Sequence, residues 1–177
     1  MMAGQALGLV LGMLIAPGIA SAGAPAFGRL EIRITDHREA IAEFASLRVS
    51  IPTVALHRRG APRTQGWIEI PATTPEVDLV RHVGGPGALL LTRDLDPGEF
   101  DAIRLTIRSP VGVLKRGKQV PVAAHLPAAG VSITVRTGRL TVCTVDLAVL
   151  DIGDHPGGGY ELVIRRVHAA TRGAIPR

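Results

Sequence analysis

The stretch Leu95 to Arg108 reads LDPGEFDAIRLTIR and constrains the fold more than any other. It opens on a turn, Asp96-Pro97-Gly98, in which proline presets φ at the second position and glycine accepts positive φ at the third. Phe100, Ile103, Leu105 and Ile107 then fall on one face, and Ala102, Arg104, Thr106 and Arg108 on the other. A period of two with β-branched residues marks a strand that buries one face and wets the other. This strand is expected to lie at the centre of a β-sandwich.

Similar short runs recur along the chain. Leu30, Ile32 and Ile34 alternate with Glu31, Arg33 and Thr35; Val131, Ile133 and Val135 make another run; Leu140 to Leu150 is longer; Tyr160, Leu162 and Ile164 close the series. Leu47 to Leu56 is interrupted by Pro52, which implies a bulge or an edge position. Ser109-Pro110 is read as a turn, and Val111–Leu114 with Gln119–Val122 as a hairpin tipped by Lys115-Arg116-Gly117-Lys118. Gly84-Gly85-Pro86-Gly87 lacks the strand–glycine–helix setting of a phosphate loop and is read as a flexible turn. Asp36 with Glu39 has capping-box spacing, which places one short helical turn near residues 38–45. Nine or ten strands at this spacing predict an all-β single domain, a β-sandwich. With 46% hydrophobic but only 3% aromatic residues, its core must be built from Val, Ile, Leu and Ala.

Residues 1–22 read as a signal peptide. Ala6 to Ala16 is an apolar run of the right length, Pro17-Gly18 breaks it, and Ala20-Ser21-Ala22 supplies a small-x-small cleavage site. The leading MMAGQ carries no Lys or Arg, so a retained membrane anchor stays open as the alternative; cleavage would leave no membrane span. Residues 23–28 form a small-residue linker, 29–168 the sandwich, and 169–177 a loose C-terminal tail.

The order of several short motifs resembles DUF4382, a bacterial and archaeal extracytoplasmic domain of unknown function. They are Thr35-Asp36, Ala55-Leu56-His57-Arg58, Val77-Asp78-Leu79-Val80, Pro97-Gly98-Glu99-Phe100 running into Ile103-Arg104-Leu105, and Val145-Asp146-Leu147 followed by Gly157-Gly158-Gly159-Tyr160-Glu161-Leu162. The chain departs from that pattern at His37-Arg38, where Ala-Pro is expected, and at Ala148, where a second aspartate is expected. The resemblance covers residues 28–168 and implies a transthyretin-like or immunoglobulin-like β-sandwich outside the cytoplasm. It implies no activity and no catalytic residues.

Chemistry-bearing residues are sparse. The lone Cys143 sits in an apolar run and reads as a small buried hydrophobe. No two of the six histidines stand at i,i+2 or i,i+4, so no local zinc-ligand pair exists; His57 and His82 are placed in turns or at strand ends. Asp151, Asp154 and His155 are the candidate metal ligands, a set that suits a divalent cation, against the reading that Asp and Gly merely form a turn. Glu99 and Asp101, beside Asp94 and Asp96, make a second acidic cluster. No nucleophile elbow is present, and Trp67 is assigned to the core or its rim rather than to a sugar platform.

The chain carries +5 net charge, almost all of its basic residues being arginine. These expectations converge on a secreted or periplasmic, non-catalytic binding module of the cell envelope. Its partner would be an envelope protein or a polysaccharide; no nucleic acid and no cofactor is expected beyond the candidate cation. Two rivals stand beside it. One is a hydrolase with its site in the loops at one end. The other is a polyanion binder using arginines such as Arg48, Arg104, Arg108, Arg165 and Arg166, which requires them to share one face.

Overall fold

A computed structural model describes residues 26–38, 40–153 and 159–175. The described residues are mostly β-strand. Among the described residues ten strands run in the order β1 (Gly28–Asp36), β2 (Phe44–Arg58), β3 (Trp67–Pro71), β4 (Glu76–Asp78), β5 (Ala88–Leu95), β6 (Gly98–Leu114), β7 (Gln119–Ala124), β8 (Ala129–Val135), β9 (Arg139–Asp151) and β10 (Tyr160–Ala174). Two 3-10 turns, Ala40–Glu43 and Leu79–His82, are the helical content of the described residues. The first falls inside the helical turn expected at 38–45. The second follows β4 directly and buries Leu79. Among the described residues no helix is long and apolar enough to cross a membrane. The signal segment lies outside the described residues.

The sheet is one open path, β3-β2-β6-β7-β10-β9-β1-β5, with β4 added on β2 and β8 on β6. Most pairs are antiparallel, but β1 runs parallel to β9 and β10 runs parallel to β7. Both ends of the path bury side chains in one cluster. Leu30, Ile32 and Ile34 of β1 and Cys143, Val145 and Leu147 of β9 meet it from one end of the path, and Leu47, Val54 and Leu56 of β2 and Ile103 of β6 from the other. Removing each such aliphatic side chain from water contributes roughly 1.5–3 kcal/mol. That lets a core with few aromatic rings hold the fold without a disulfide.

The stretch expected to be central is central: β6 is the longest strand and pairs with β2, β7 and β8. Three details differ from the alternating reading. Gly98 has no positive φ and is already the first residue of β6. Ser109-Pro110 does not turn the chain, because the ladder slips register between Arg48↔Val111 and Ser50↔Arg108, and β6 continues past the proline. A slip absorbs a residue that cannot donate to the ladder. Ala102 is buried rather than outward, because a further slip around Asp101 lets Phe100, Ala102 and Ile103 all point away from water. Pro52 sits in the same kind of slip, between Ser50 and Thr53, as its position implied.

The tail from Ala169 is not loose as far as Ala174. It continues β10, with Ala169, Ala170 and Thr171 opposite Cys143, Val142 and Thr141, and a last pairing of Ala174 with Arg139. The long antiparallel partner in β9 satisfies its backbone groups, a benefit that sequence position alone does not reveal.

Candidate functional site

The neighbours β10, β9 and β1 present one polar face. The period of two sends Ile32, Ile34, Cys143 and Val145 to the core, so the intervening residues line up on the opposite side. Three cross-strand rows result: Thr35–Asp146–Arg166, Arg33–Thr144–His168 and Glu31–Val142–Ala170. The turn Gly84-Gly85-Pro86 and His37 border this face, and together they enclose a groove of about 660 Å³. Gly87 holds that turn close to β1. Its φ is +78°, and a Cβ there would lie 2.8 Å from the Ile34 carbonyl oxygen, so a larger residue is excluded twice over.

The carboxylates of the face sit low and are engaged. Asp146 is 8% exposed and accepts a 3.0 Å hydrogen bond from the Thr35 hydroxyl. Asp36 is 1% exposed and accepts from the His37 N–H at 2.7 Å. Glu31 accepts two bonds from the Arg33 guanidinium, at 3.2 and 3.0 Å. Arg166, His168 and Arg172 stand exposed above them. A smaller groove of about 330 Å³ continues the face between His37, Asp146, Arg165 and Arg166.

A second constellation lies at the far end of β2. His57 is 1% exposed, and its Nδ1 faces Asp101 Oδ1 at 2.7 Å while its Nε2 faces the Pro62 carbonyl at 3.2 Å. Both partners are acceptors, so both ring nitrogens are best served as donors and the ring as an imidazolium. The Asp101 hydrogen bond, with the Pro62 carbonyl behind it, raises the His57 pKa above its ordinary value, and the same contact lowers that of Asp101. Trp67 leans on the ring at 5.0 Å, its indole N–H donates to the Arg63 carbonyl, and Arg104 lies over it at 4.6 Å. A histidine so occupied has no free nitrogen with which to take a proton. The pair ties the 59–66 loop to β6.

This network dissolves the second acidic cluster. Asp101 is committed to His57 and Arg63, Glu99 pairs with Arg59 at 3.2 Å, and Asp94 pairs with Arg29 at 2.8 Å. Of the candidate metal ligands, Asp151 accepts from the Gly153 N–H at 2.8 Å, the bond of an Asx turn; Asp154 and His155 lie outside the described residues. Among the described residues no cluster of three or more metal-ligating side chains occurs. The five arginines named for polyanion binding do not share one face. Arg48, Arg104 and Arg108 belong to β2 and β6, Arg104 being held by Trp67 and Glu69, whereas Arg165 and Arg166 belong to β10. Cys143 is buried, and burial pushes its thiol up to about 12, so it is no nucleophile at neutral pH.

The face of β1, β9 and β10 therefore gathers Thr35-Asp36 and Asp146, two motif positions 111 residues apart at Thr35 and Asp146. An open, mostly β sheet protein with a polar face of this kind is the class the fold defines. The chain belongs to the DUF4382 family: the family model, described as a domain of unknown function, matches residues 27–163. A comparison with curated proteins finds no match. Among solved structures, the chain is similar to a candidate cell adhesion protein from Bacteroides eggerthii DSM 20697, at 11% identity and a TM-score of 0.37. That likeness covers 84% of this chain and 56% of the other.

Proposed function

We propose that this chain is a non-catalytic binding module that acts outside the cytoplasm, secreted or periplasmic, and contacts an envelope protein or polysaccharide through the polar face of β1, β9 and β10. The observation that carries the reading is the convergence of Thr35, Asp36 and Asp146 with Arg166 and His168 in one groove. A rigid sheet that displays exposed polar side chains above satisfied carboxylates suits recognition. The extracytoplasmic location rests on the apolar run Ala6 to Ala16 and the Ala20-Ser21-Ala22 site. An immunoglobulin-like or transthyretin-like sandwich is supported by the single core that the two ends of the open sheet share.

The test is fractionation of producing cells with intact mass of the recovered protein, followed by sedimentation with isolated envelopes. A mature chain beginning at Gly23 in the extracytoplasmic fraction is the expected result. Thr144→Tyr, which fills the centre of the groove, should abolish co-sedimentation. Full-length soluble protein in the cytoplasm would overturn the reading.

A further inference from the structure

We propose that the polar face of β1, β9 and β10 binds an acidic polysaccharide, whose anionic groups are held by Arg165, Arg166, His168 and Arg172. This rests on the binding-module reading above and names its ligand class. Regular alternation would send Arg165 and Arg166 to opposite sides of the sheet. The register of β10 on β9 slips between Ile164 and Arg166, and both arginines line the small groove beside His37 and Asp146. Bulges of this kind re-aim side chains. Beyond the slip, Arg166 and His168 face the same side, and Arg172 closes the row.

From Arg166 to Arg172 the row runs about 20 Å at roughly 3.3 Å per residue. Cations strung along a strand do not converge on one small anion; they match a polymer with repeated charge. Guanidinium groups pair with carboxylate, sulfate or phosphate through two parallel N–H donors. The matching negative charge of the face is spent below: Asp36 and Asp146 are nearly sealed from water, and Glu31 is turned onto Arg33. Among the described residues neither Arg166 nor Arg172 is in an ion pair. A single-stranded nucleic acid fits this face poorly, because among the described residues no Phe, Tyr or Trp lines the groove, and single strands are held largely by stacking bases on such rings.

Isothermal titration of the purified chain with polygalacturonate, a linear polycarboxylate, tests this, with neutral dextran as the uncharged polymer. The wild type should bind polygalacturonate, more weakly at physiological than at low salt, and not bind dextran. The double variant Arg166→Ala/Arg172→Ala should raise the dissociation constant at least about five-fold, the size one good exposed ion pair supports. Arg166→Lys/Arg172→Lys, which keeps charge but loses the fork, should fall between. Arg108→Ala/Lys118→Ala removes the same charge elsewhere and should change affinity less than two-fold. Equal loss in that control, no binding by the wild type, or tighter binding of single-stranded DNA through the same arginines would overturn the proposal. Envelope binding that Thr144→Tyr abolishes but Arg166→Ala/Arg172→Ala spares would likewise remove the acidic ligand while leaving the module reading intact.

Discussion

Replacing Gly112 with alanine should destabilise the protein, although glycine is a poor strand residue. Gly112 is buried in β6, opposite Leu47 of β2 and Val120 of β7. A Cβ at this position would stand 2.5 Å from Phe44 Cδ1 and closer still to Cε1. Phe44 is 1% exposed, and its ring meets Tyr160 edge-on at 4.8 Å, so it has little room to swing aside. Overpacking a closed core costs about 1–3 kcal/mol. Against this, removing glycine's backbone freedom returns roughly 0.5–1 kcal/mol. At mid-range values the net loss is about 1 kcal/mol, or a fall in Tm of roughly 2–4 °C for a chain of this size. Urea unfolding followed by the single tryptophan, Trp67, measures it. The decisive comparison is a double-mutant cycle with Phe44→Leu, which removes the ring edge. Gly112→Ala should be far milder in that background, with a coupling of at least about 0.5 kcal/mol. A neutral or stabilising Gly112→Ala, or simple additivity with Phe44→Leu, would refute the close approach of the strand to the ring.

Three further outcomes follow from the titratable groups. The folded-state pKa of His57 lies above the ordinary 6.5, chiefly through Asp101. Its contribution is therefore whole below pH 6.5 and lost as pH climbs from there through the raised value, so urea midpoints should drop over that range and His57→Gln should flatten the drop. The phenol of Tyr160 donates to Glu43 at 2.7 Å, and that bond, with burial, pushes its pKa up to about 12. As the single tyrosine, it should ionise near there in an ultraviolet titration, and earlier in Glu43→Gln. The Cys143 thiol should resist a disulfide reagent at neutral pH in the native protein and react fully in denaturant; rapid labelling of the native state would place it outside the core.

Local alternation is a property of neighbouring residues, and what depends on it alone was legible in the chain. Leu30, Ile32 and Ile34 are buried as their spacing required, the hairpin around Lys115 to Lys118 forms, and β6 is central. So were the motifs that align the chain with its family over residues 27–163. The candidate site was only half legible. Thr35-Asp36 and Asp146 stood out as motifs, but nothing local says that β1 lies parallel to β9 and sets them side by side. The acidic cluster of Glu99 and Asp101 misled for a related reason. Its cationic partners, Arg59, Arg63 and His57, arrive from another strand and loop, and only their arrival settles what the carboxylates are for.

The amino-acid sequence by itself determined the β class, the aliphatic core and the alternation of faces, because each follows from side-chain chemistry repeated at period two. Apart from the slip at Pro52, which the proline itself implies, tertiary structure alone decided where that period breaks. The slips at Asp101 and Arg165 are set by strands meeting across the sheet, since an extra residue in one strand can be accommodated only against a partner. One slip accompanies the bond of Asp101 to a buried histidine, and the other places two consecutive arginines on the same groove.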